Sequence, residues 1–326
     1  MLKVGIIGVG SMGTQHFLRL MNKISGATVT AVSDVNEAHA KEVIAPYPDV
    51  RFIADPIALI NDPEVDAIVI VSADKTHEEF CLEALRLKKF VFCEKPLSLS
   101  AEQSRILADL AKEKGVHLYV AQVLQFTPEI RVLRQLVEEK PYGKPLDAVF
   151  QRLSARPEWA QGGWLFDREK SGLVPFDLHI HELDVIISLF GEPEAAECRC
   201  CGGEGRGFPE LYRWEYRCGG VNVAAEAAWL NASIPFTCPW RVYFERSAVL
   251  YDGAHVTAYP WGEDPVVFDT QEKIKIPTGI NVPPTGWYHT ELGHFLDCIR
   301  ADADSPMVPK ERVLAVLRLL EQTLSR

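Results

Sequence analysis

The chain has 326 residues, a length typical of two domains that each enclose a core of their own. Hydrophobic residues make up 47% and charged residues 24%, which is the composition of a soluble globular protein. The net charge of −11 and the lack of a basic run exclude a nucleic-acid partner, and no apolar run approaches the roughly 20 residues that span a bilayer.

A predicted strand begins almost at the first residue and leaves no room for a signal peptide, so we expect a cytoplasmic protein. Its eight cysteines would stay reduced there. Cys198, Cys200 and Cys201 include one Cys-x-x-Cys pair, for which a zinc site is conceivable. Because Cys218 and Cys238 are widely spaced and no His joins them, buried thiols on strands are the favoured interpretation.

The first predicted elements are a strand ending near Ile7, a glycine motif and a helix from Thr14. In Gly-x-Gly-x-x-Gly, the first glycine suits a tight turn, the second a close backbone approach and the third close packing of helix on strand. The N–H groups and dipole of the helix would then face a pyrophosphate. A glycine-rich turn without a ligand is the alternative. The expected cofactor contacts are Gly8, Gly10, Ser11, Met12 and Gly13.

The second predicted strand ends at Asp34, and this residue bears on cofactor choice. A carboxylate at that point can accept hydrogen bonds from both adenosine ribose hydroxyls and would repel a 2′-phosphate. No Arg or Lys follows before Lys41 to accommodate such a phosphate. The sequence therefore predicts NAD rather than NADP.

Short strands and helices go on alternating to residue 122, which predicts a Rossmann domain with a doubly wound parallel sheet. Ligands of such sheets bind at the carboxyl ends of the strands. The predicted helices lie at about 36–45, 78–87 and 101–114, and the strands at about 51–53, 67–71, 90–93 and 116–120.

Three strand ends carry further polar candidates for the cofactor and substrate. Ser72 and His77 follow the fourth strand and are expected to line the nicotinamide half of the cleft, although His77 could equally face solvent in the first turn of a helix. Glu94 and Lys95 follow the fifth strand, and an ammonium beside a dinucleotide should meet a substrate hydroxyl or carbonyl. An ordinary surface turn is the alternative. Gln122 is a further candidate substrate contact.

Residues 123–326 change character and predict an α+β domain with a large, mostly antiparallel open sheet. One face of this sheet would be available for subunit contact. The two final helices, at about 288–300 and 310–324, can pack back on the first domain. The predicted strands lie at about 147–155, 195–201, 211–218, 221–230 and 241–244.

A very apolar helix from Phe176 to Phe190 interrupts these strands. At about 100° per residue, Asp177, His181, Asp184 and Ser188 share one narrow stripe. A polar seam on a buried helix should face a cleft.

Asp177 lies one turn before His181 and can orient its ring, the arrangement of a general base that works near neutral pH. A hydrogen-bonded core histidine is the alternative for His181. His179 points elsewhere and is a secondary substrate contact. A metal site formed by these three residues is disfavoured because residues 179 and 181 diverge by about 200°, and we predict no metal.

Together these motifs resemble the glucose–fructose oxidoreductase / inositol dehydrogenase / MocA (Gfo/Idh/MocA) oxidoreductase family. The resemblance implies a Rossmann domain joined to an open-sheet domain, and dimers or tetramers formed through that sheet. It also implies oxidation of a sugar or cyclitol hydroxyl by NAD, with Lys95 as the catalytic lysine and Asp177 and His181 as the Asp-x-x-x-His pair. The matching segments are Gly8–Gly13, Asp34, Cys93-Glu-Lys-Pro-Leu97, Gly172–Asp184 and Tyr288–Ile299.

The chain departs from the family pattern at three places. Ser72-Ala-Asp74 stands where the family usually has Thr-Pro-Asn, Gln125 stands where many members have Arg or Asn before an aromatic residue, and His179 stands where Gly is common. The nicotinamide-side loop and one substrate contact are therefore expected to differ.

The sequence-based hypothesis is that Lys95 and the Asp177–His181 pair meet at one reactive carbon. His181 would remove the hydroxyl proton while hydride passes to NAD, and Lys95 would stabilise the alkoxide. A non-catalytic NAD-sensing regulator and a glycosidase with transient oxidation are the competing functions. Trp159, Trp164 and Trp287 could stack on a sugar or pack in a core, and Asp167 and Lys170 are candidate rim contacts.

Overall fold

A computed structural model describes residues 1–158, 161–205, 207–280 and 282–324. The chain divides into two compact units. Unit 1 comprises Met1–Val123 and Lys273–Leu317, and unit 2 comprises Leu124–Glu272 and Arg318–Arg326. The sequence predicts this boundary between residues 122 and 123.

Unit 1 contains a six-stranded, entirely parallel sheet in the order β3-β2-β1-β4-β5-β6. The predicted doubly wound fold is confirmed. The order reverses between β1 and β4, which is the point where such sheets bind ligands. The strands are β1 (Leu2–Ile7), β2 (Ala27–Ser33), β3 (Arg51–Phe52), β4 (Ala67–Ile70), β5 (Phe90–Cys93) and β6 (Leu118–Val120).

Helices connect these strands, as right-handed crossovers require. The β-branched and aromatic residues of β4 and β5 other than Phe90 are fully or almost fully buried, because parallel sheets are covered on both faces. The five-residue α3 was not expected from the sequence. The helices are α1 (Ser11–Asn22), α2 (Glu37–Ile44), α3 (Pro56–Ile60), α4 (His77–Arg86) and α5 (Ala101–Lys114).

Unit 2 contains an eight-stranded sheet in the order β14-β13-β12-β11-β7-β10-β9-β8. All neighbours are antiparallel except β7 and β10, so the predicted mostly antiparallel sheet is confirmed. The last three strands were not predicted. The strands are β7 (Pro145–Ala155), β8 (Ala195–Cys201), β9 (Leu211–Cys218), β10 (Val221–Leu230), β11 (Trp240–Phe244), β12 (Ser247–Tyr251), β13 (Val256–Pro260) and β14 (Val266–Phe268).

The sheet of unit 2 buries one face and exposes the other. On β9, for example, Tyr212, Trp214 and Tyr216 are buried while Arg213 and Glu215 are exposed. The buried face packs on α8, which contacts β7 and β10. The helices that begin in this part of the chain are α6 (Pro128–Glu139), α7 (Arg168–Ser171) and α8 (Ile180–Phe190).

Two long helices end the chain, α9 (Trp287–Ala301) and α10 (Lys310–Leu324). Helix α9 packs on α1 within unit 1. At the end of α10, Thr323 accepts a hydrogen bond from the Trp214 indole at 3.1 Å within unit 2. None of the helices described is both long and apolar enough to cross a membrane.

A buried ion pair joins α8 to the sheet. Arg152 on β7 donates to Glu182 on α8 at 2.8 Å, and the side chains are only 8% and 6% exposed. Removing one partner of such a pair leaves a buried charge, whereas replacing both by apolar residues removes that penalty.

We therefore expect Glu182→Ala to lower the free energy of unfolding by about 3–5 kcal/mol. The double substitution Arg152→Met/Glu182→Leu should recover most of that loss. Urea denaturation of the three proteins measures both effects. A Glu182→Ala protein as stable as the unsubstituted chain would contradict the expectation.

Candidate active site

The glycine motif joins β1 to α1 with the geometry expected of a dinucleotide cradle. Gly8 has φ of +90°, and a Cβ atom there would lie 2.5 Å from the Val71 carbonyl oxygen. A Cβ atom on Gly13 would lie 2.0 Å from the Gly8 carbonyl oxygen. At Gly10 a Cβ atom would meet no described atom within 4 Å, so the backbone is open there to a ligand. The arrangement fits a pyrophosphate at the exposed start of α1.

Asp34 holds the glycine loop against the end of β2. One carboxylate oxygen accepts a hydrogen bond from the Val9 backbone N–H at 2.7 Å, and the other accepts from the Asn36 N–H at 2.7 Å. The side chain is half-buried, and each carboxylate oxygen can accept a second hydrogen bond. The residue therefore fits ribose hydroxyls while it also stabilises the loop.

His77 begins α4, but its side chain is 1% exposed, so the solvent-facing alternative is wrong. Its ring nitrogens lie 2.7 Å from the Pro96 carbonyl oxygen and 3.0 Å from that of Ser72. Burial lowers the pKa of the ring, although both carbonyl contacts raise it, and a neutral imidazole donates to only one of the two carbonyl oxygens. His77 thus ties together the turns that follow β4 and β5. The Ser72 hydroxyl lies 2.7 Å from that of Thr76.

Glu94 is held beside Lys95 by a residue that the sequence analysis missed. His16, on α1 and fully buried, places Nε2 2.7 Å from Glu94 Oε1. The other carboxylate oxygen accepts from the Lys95 backbone N–H at 3.3 Å, and the Lys95–Pro96 peptide is cis. Burial alone would raise the pKa of Glu94, but the hydrogen bond and charge of His16 and the charge of Lys95 bring it below its usual value. The carboxylate therefore stays ionised next to the lysine, whose side chain is half-buried.

Gln122 follows β6 and is 1% exposed. Its backbone N–H donates to Glu291 Oε1 on α9 at 2.7 Å. Among the described residues, its side-chain nitrogen has no hydrogen-bond partner. Contact with a substrate would require this buried side chain to be uncovered.

In unit 2 the segment before α8 forms a π-helical turn, Pro175–His179, that runs directly into the α-helix. Asp177 and His181 are the only two residues of the stretch 171–187 that are not buried. They lie four positions apart. An otherwise buried segment therefore presents one carboxylate and one imidazole at its N-terminal end, the region where the sequence predicted a polar seam.

The other half of the predicted seam does not reach a cleft. Asp184 is fully buried and accepts a hydrogen bond from the Gln125 side chain. Arg134 on α6 donates to Gln125 and to Ser188, the latter at 3.4 Å. The prediction of one continuous accessible stripe is therefore wrong for Asp184. Gln125, which replaces a common family residue, is a structural contact.

His179 lies in the aromatic core of unit 2, against the expectation of a secondary substrate contact. Its ring stacks on Trp214 with centroids 3.8 Å apart, and Nε2 lies 2.8 Å from the Tyr216 hydroxyl. Burial, with a smaller contribution from the charge of Arg152, lowers its pKa to about 3. The fully buried ring offers no edge to a substrate. The residue faces the sheet because π-turn and α-helix together turn it away from Asp177 and His181.

Several secondary candidates can also be placed. Lys170 and Asp167 form an ion pair at 2.5 Å with each other, and Trp164 and Trp287 are half-buried. Trp159 lies outside the described residues. The expectation of buried thiols agrees with Cys218 but is wrong for Cys200 and Cys201, which are exposed, and Cys198 and Cys238 are half-buried. Within the part of the chain described, no group of three or more His, Cys, Asp or Glu residues could hold a metal ion.

Comparison with known proteins gives matches over both units. Residues 2–122 match the model of an oxidoreductase family with an NAD-binding Rossmann fold, Gfo/Idh/MocA. Residues 130–207 match the C-terminal domain model of the same family. An inositol 2-dehydrogenase of Mycolicibacterium smegmatis is 34% identical over 60% of this chain. The match spans 54% of that relative, so the chain covers about half of its length.

Two solved structures share the fold. A crystal structure of an oxidoreductase from Agrobacterium radiobacter in complex with NAD⁺, L-tartaric acid and magnesium superposes with a TM-score of 0.86 at 16% identity, covering 98% of this chain and 94% of that one. A levoglucosan dehydrogenase in complex with NADH and levoglucosan gives 0.85 at 18% identity, covering 99% and 96%. At these identities the likeness concerns the fold alone.

The lowered pKa of His179 predicts how the free energy of unfolding changes as the pH falls. Because the ring resists protonation when folded but gains a proton near pH 6.5 when unfolded, falling pH favours the unfolded chain. Between pH 6.5 and about 3 this costs up to about 1.4 kcal/mol per pH unit. The stability difference between the unsubstituted chain and His179→Phe should therefore shrink as pH falls, as urea titrations at several pH values would show. A difference independent of pH would contradict the buried neutral ring.

The position of Asp34 makes a prediction about cofactor choice. Asp34→Asn removes the charge that repels a 2′-phosphate but keeps an acceptor for a backbone N–H. We expect the ratio of the NADPH to the NADH dissociation constant to fall about tenfold or more, measured by fluorescence titration. Because both cofactors are compared in the same protein, a general loss of loop stability would weaken the binding of both and would not change the ratio of their dissociation constants. An unchanged ratio would contradict the assignment.

Proposed function

Since the chain belongs to the Gfo/Idh/MocA oxidoreductase family, we propose that it is an NAD-dependent dehydrogenase. It would transfer hydride between a nicotinamide cofactor and a secondary hydroxyl or ketone of a sugar, a cyclitol or a sugar derivative. The observation that carries the proposal is that Asp177 and His181 are half-buried while the rest of the stretch 171–187 is buried. An imidazole and a carboxylate in that position are suited to moving a proton.

The substrate class draws on the names of similar proteins. The curated relatives are called inositol 2-dehydrogenases, and a structure with the same fold is called levoglucosan dehydrogenase. Both names describe oxidation of a hydroxyl on a six-membered ring. This chain covers only about half of the length of those relatives. The stereochemistry and the substituents of the substrate ring are therefore proposed here, and the activity screen tests them.

Unit 1 has the residues to hold NAD. The open backbone at Gly10 and the exposed start of α1 suit the pyrophosphate, and Asp34 suits the adenosine ribose. Ser11 and Met12 lie in the first turn of α1, while Ser72, Glu94 and Lys95 follow β4 and β5 at the edge where the nicotinamide is proposed to bind. Bound NAD would supply the hydride acceptor.

His181 is the proposed general base. Its imidazole accepts the proton of the substrate hydroxyl as the carbonyl forms and returns a proton in the reverse direction. Asp177, one helical turn away, stabilises the imidazolium through its negative charge. Both side chains project from a rigid, buried segment, which limits the reorganisation needed for proton transfer.

Lys95 is the proposed electrostatic catalyst. Its ammonium stabilises the negative charge that develops on the substrate oxygen. Glu94, kept ionised by His16, places a negative charge beside the lysine. His77 supports the same turn by binding the Pro96 carbonyl group, so its contribution to the cofactor side is indirect.

The assay that tests the activity is a screen of inositols, aldoses and other polyols with NAD, following NADH absorbance. Turnover with at least one ring polyol supports the dehydrogenase. NAD binding without turnover would instead support a regulator on the same fold. Cleavage of a glycoside without net NADH would support a glycosidase with transient oxidation.

We expect His181→Asn to lower kcat/KM by about 10²–10⁴-fold, because it removes the general base. The NADH dissociation constant should stay unchanged, since the substitution lies in unit 2 and the cofactor residues lie in unit 1. His179→Asn is a matched control from the same segment and should act mainly on stability. A His181→Asn enzyme with normal turnover would exclude the proposed role.

The proposal also covers assembly and location. We expect a homodimer or homotetramer formed through the sheet of unit 2 in the cytoplasm. The exposed face carries large apolar side chains, with Tyr243 48%, Tyr259 49% and Val267 63% exposed. Size measurement of the purified chain tests the assembly.

A further inference from the structure

The sheet of unit 2 ends at β8, whose charge pattern is unusual. Five of its seven residues are exposed, including Glu197 and Arg199 on the open face. The strand pairs with β9 alone among the described strands. A seven-residue edge of this kind can pair with another chain.

The pairing with β9 places like charges directly opposite each other. Glu197 lies opposite Glu215, and Arg199 lies opposite Arg213, all four side chains being exposed. Such pairs have Cβ atoms about 4.5–5.5 Å apart and destabilise a sheet. Arg213 also bonds to Glu226 on its other side at 3.2 Å, but no ion pair of this kind is found among the described residues for Glu215. The edge therefore carries an acidic pair beside a basic pair.

We propose that β8 pairs with β8 of a second copy of this chain, antiparallel and centred on Cys198. A two-fold axis there puts Glu197 opposite Arg199 of the other copy, and Arg199 opposite its Glu197. Each row across the four strands then contains the acidic pair of one copy, Glu215 and Glu197, followed by the basic pair of the other copy, Arg199 and Arg213. The two-fold axis generates a second, identical row. The charge pattern of the edge is thus complementary to itself in this register.

The same charges exclude neighbouring registers. If the second β8 is shifted by two residues in one direction, Glu197 lies opposite Glu197 of the other copy. If it is shifted by two residues in the other direction, Arg199 lies opposite Arg199 of the other copy. Both shifts place like charges together. A slip of one residue exchanges the faces of the strand. Any other strand would lack the matching charges, so the edge disfavours general aggregation while it accepts its own copy. This contact joins two sheets edge to edge and is separate from packing of the open faces.

Charge reversal tests the contact. Glu197→Arg and Arg199→Glu should each weaken the edge contact at least about tenfold, because each creates two like-charge contacts in the dimer. Analytical ultracentrifugation over a concentration series would show the loss as halved mass. Within one copy each change replaces a like-charge pair by an opposite pair, so thermal stability should not fall. Dissociation therefore cannot come from misfolding.

Rescue makes the test specific. The double substitution Glu197→Arg/Arg199→Glu restores both contacts and should restore association. A mixture of the two single variants should form the mixed dimer, which co-purification of tagged and untagged chains detects. Arg217→Glu is the control, since it makes the same charge change on the same face but outside the two rows. If it dissociates the assembly as Arg199→Glu does, or if the swap does not rescue, the proposal is overturned.

Crosslinking tests the axis. In the proposed register Cys198 meets its own counterpart, whereas Cys200 lies opposite Ala196. A chain with Cys200→Ser, Cys201→Ser and Cys238→Ser, which removes the other cysteines that are not buried, should therefore still be joined into a covalent dimer by a short bis-maleimide. Adding Cys198→Ser should abolish that product. Crosslinking that persists without Cys198, or fails with it, would contradict the edge-to-edge dimer.

Discussion

The carboxyl ends of parallel strands lie at the same edge of a sheet, and the cofactor side of unit 1 depends on this constraint. It brings the glycine turn after β1, Asp34 after β2, Ser72 after β4 and Glu94 with Lys95 after β5 to one edge. The residues are far apart in sequence, so the sheet alone assembles them. Hydrogen bonds between the turns then fix their details. Asp34 binds the Val9 N–H, and His77 spans the turns that follow β4 and β5.

In unit 2 the candidate catalytic residues are positioned by the orientation of one helix and not by the ends of strands. Helix α8 is so apolar that hydrophobic burial alone, which has no preferred direction, would not fix its rotation. Buried polar contacts supply the direction: Glu182 binds Arg152, Asp184 binds Gln125 and His179 binds Tyr216. With those three residues held against the rest of the unit, Asp177 and His181 remain the accessible pair.

The sequence predicted what depends on local pattern and missed what depends on distant packing. The glycine motif and Asp34 need only a strand, a turn and a helix, and their geometry agrees with the expectation. The burial of His179 depends on Trp214, 35 positions later, which helical arithmetic does not include. The π-helical turn also alters the phase of the stripe, since an ideal α-helix was assumed between Asp177 and Asp184. Strands β12 to β14 have only three to five residues each, too few for their alternation to stand out. His16 was overlooked, although a polar residue on the buried face of α1 was the available signal.

Helix α1 has two tasks at once. The first turn of α1 is exposed where a dinucleotide phosphate is proposed to bind. His16, five residues after the start of the helix, contacts the carboxylate of Glu94 beside Lys95. A rigid helix transmits any displacement of one end to the other. Engineers who exchange the glycine loop to retune coenzyme preference would therefore also shift the lysine, and the two properties of this scaffold cannot be altered independently without redesigning the imidazole contact.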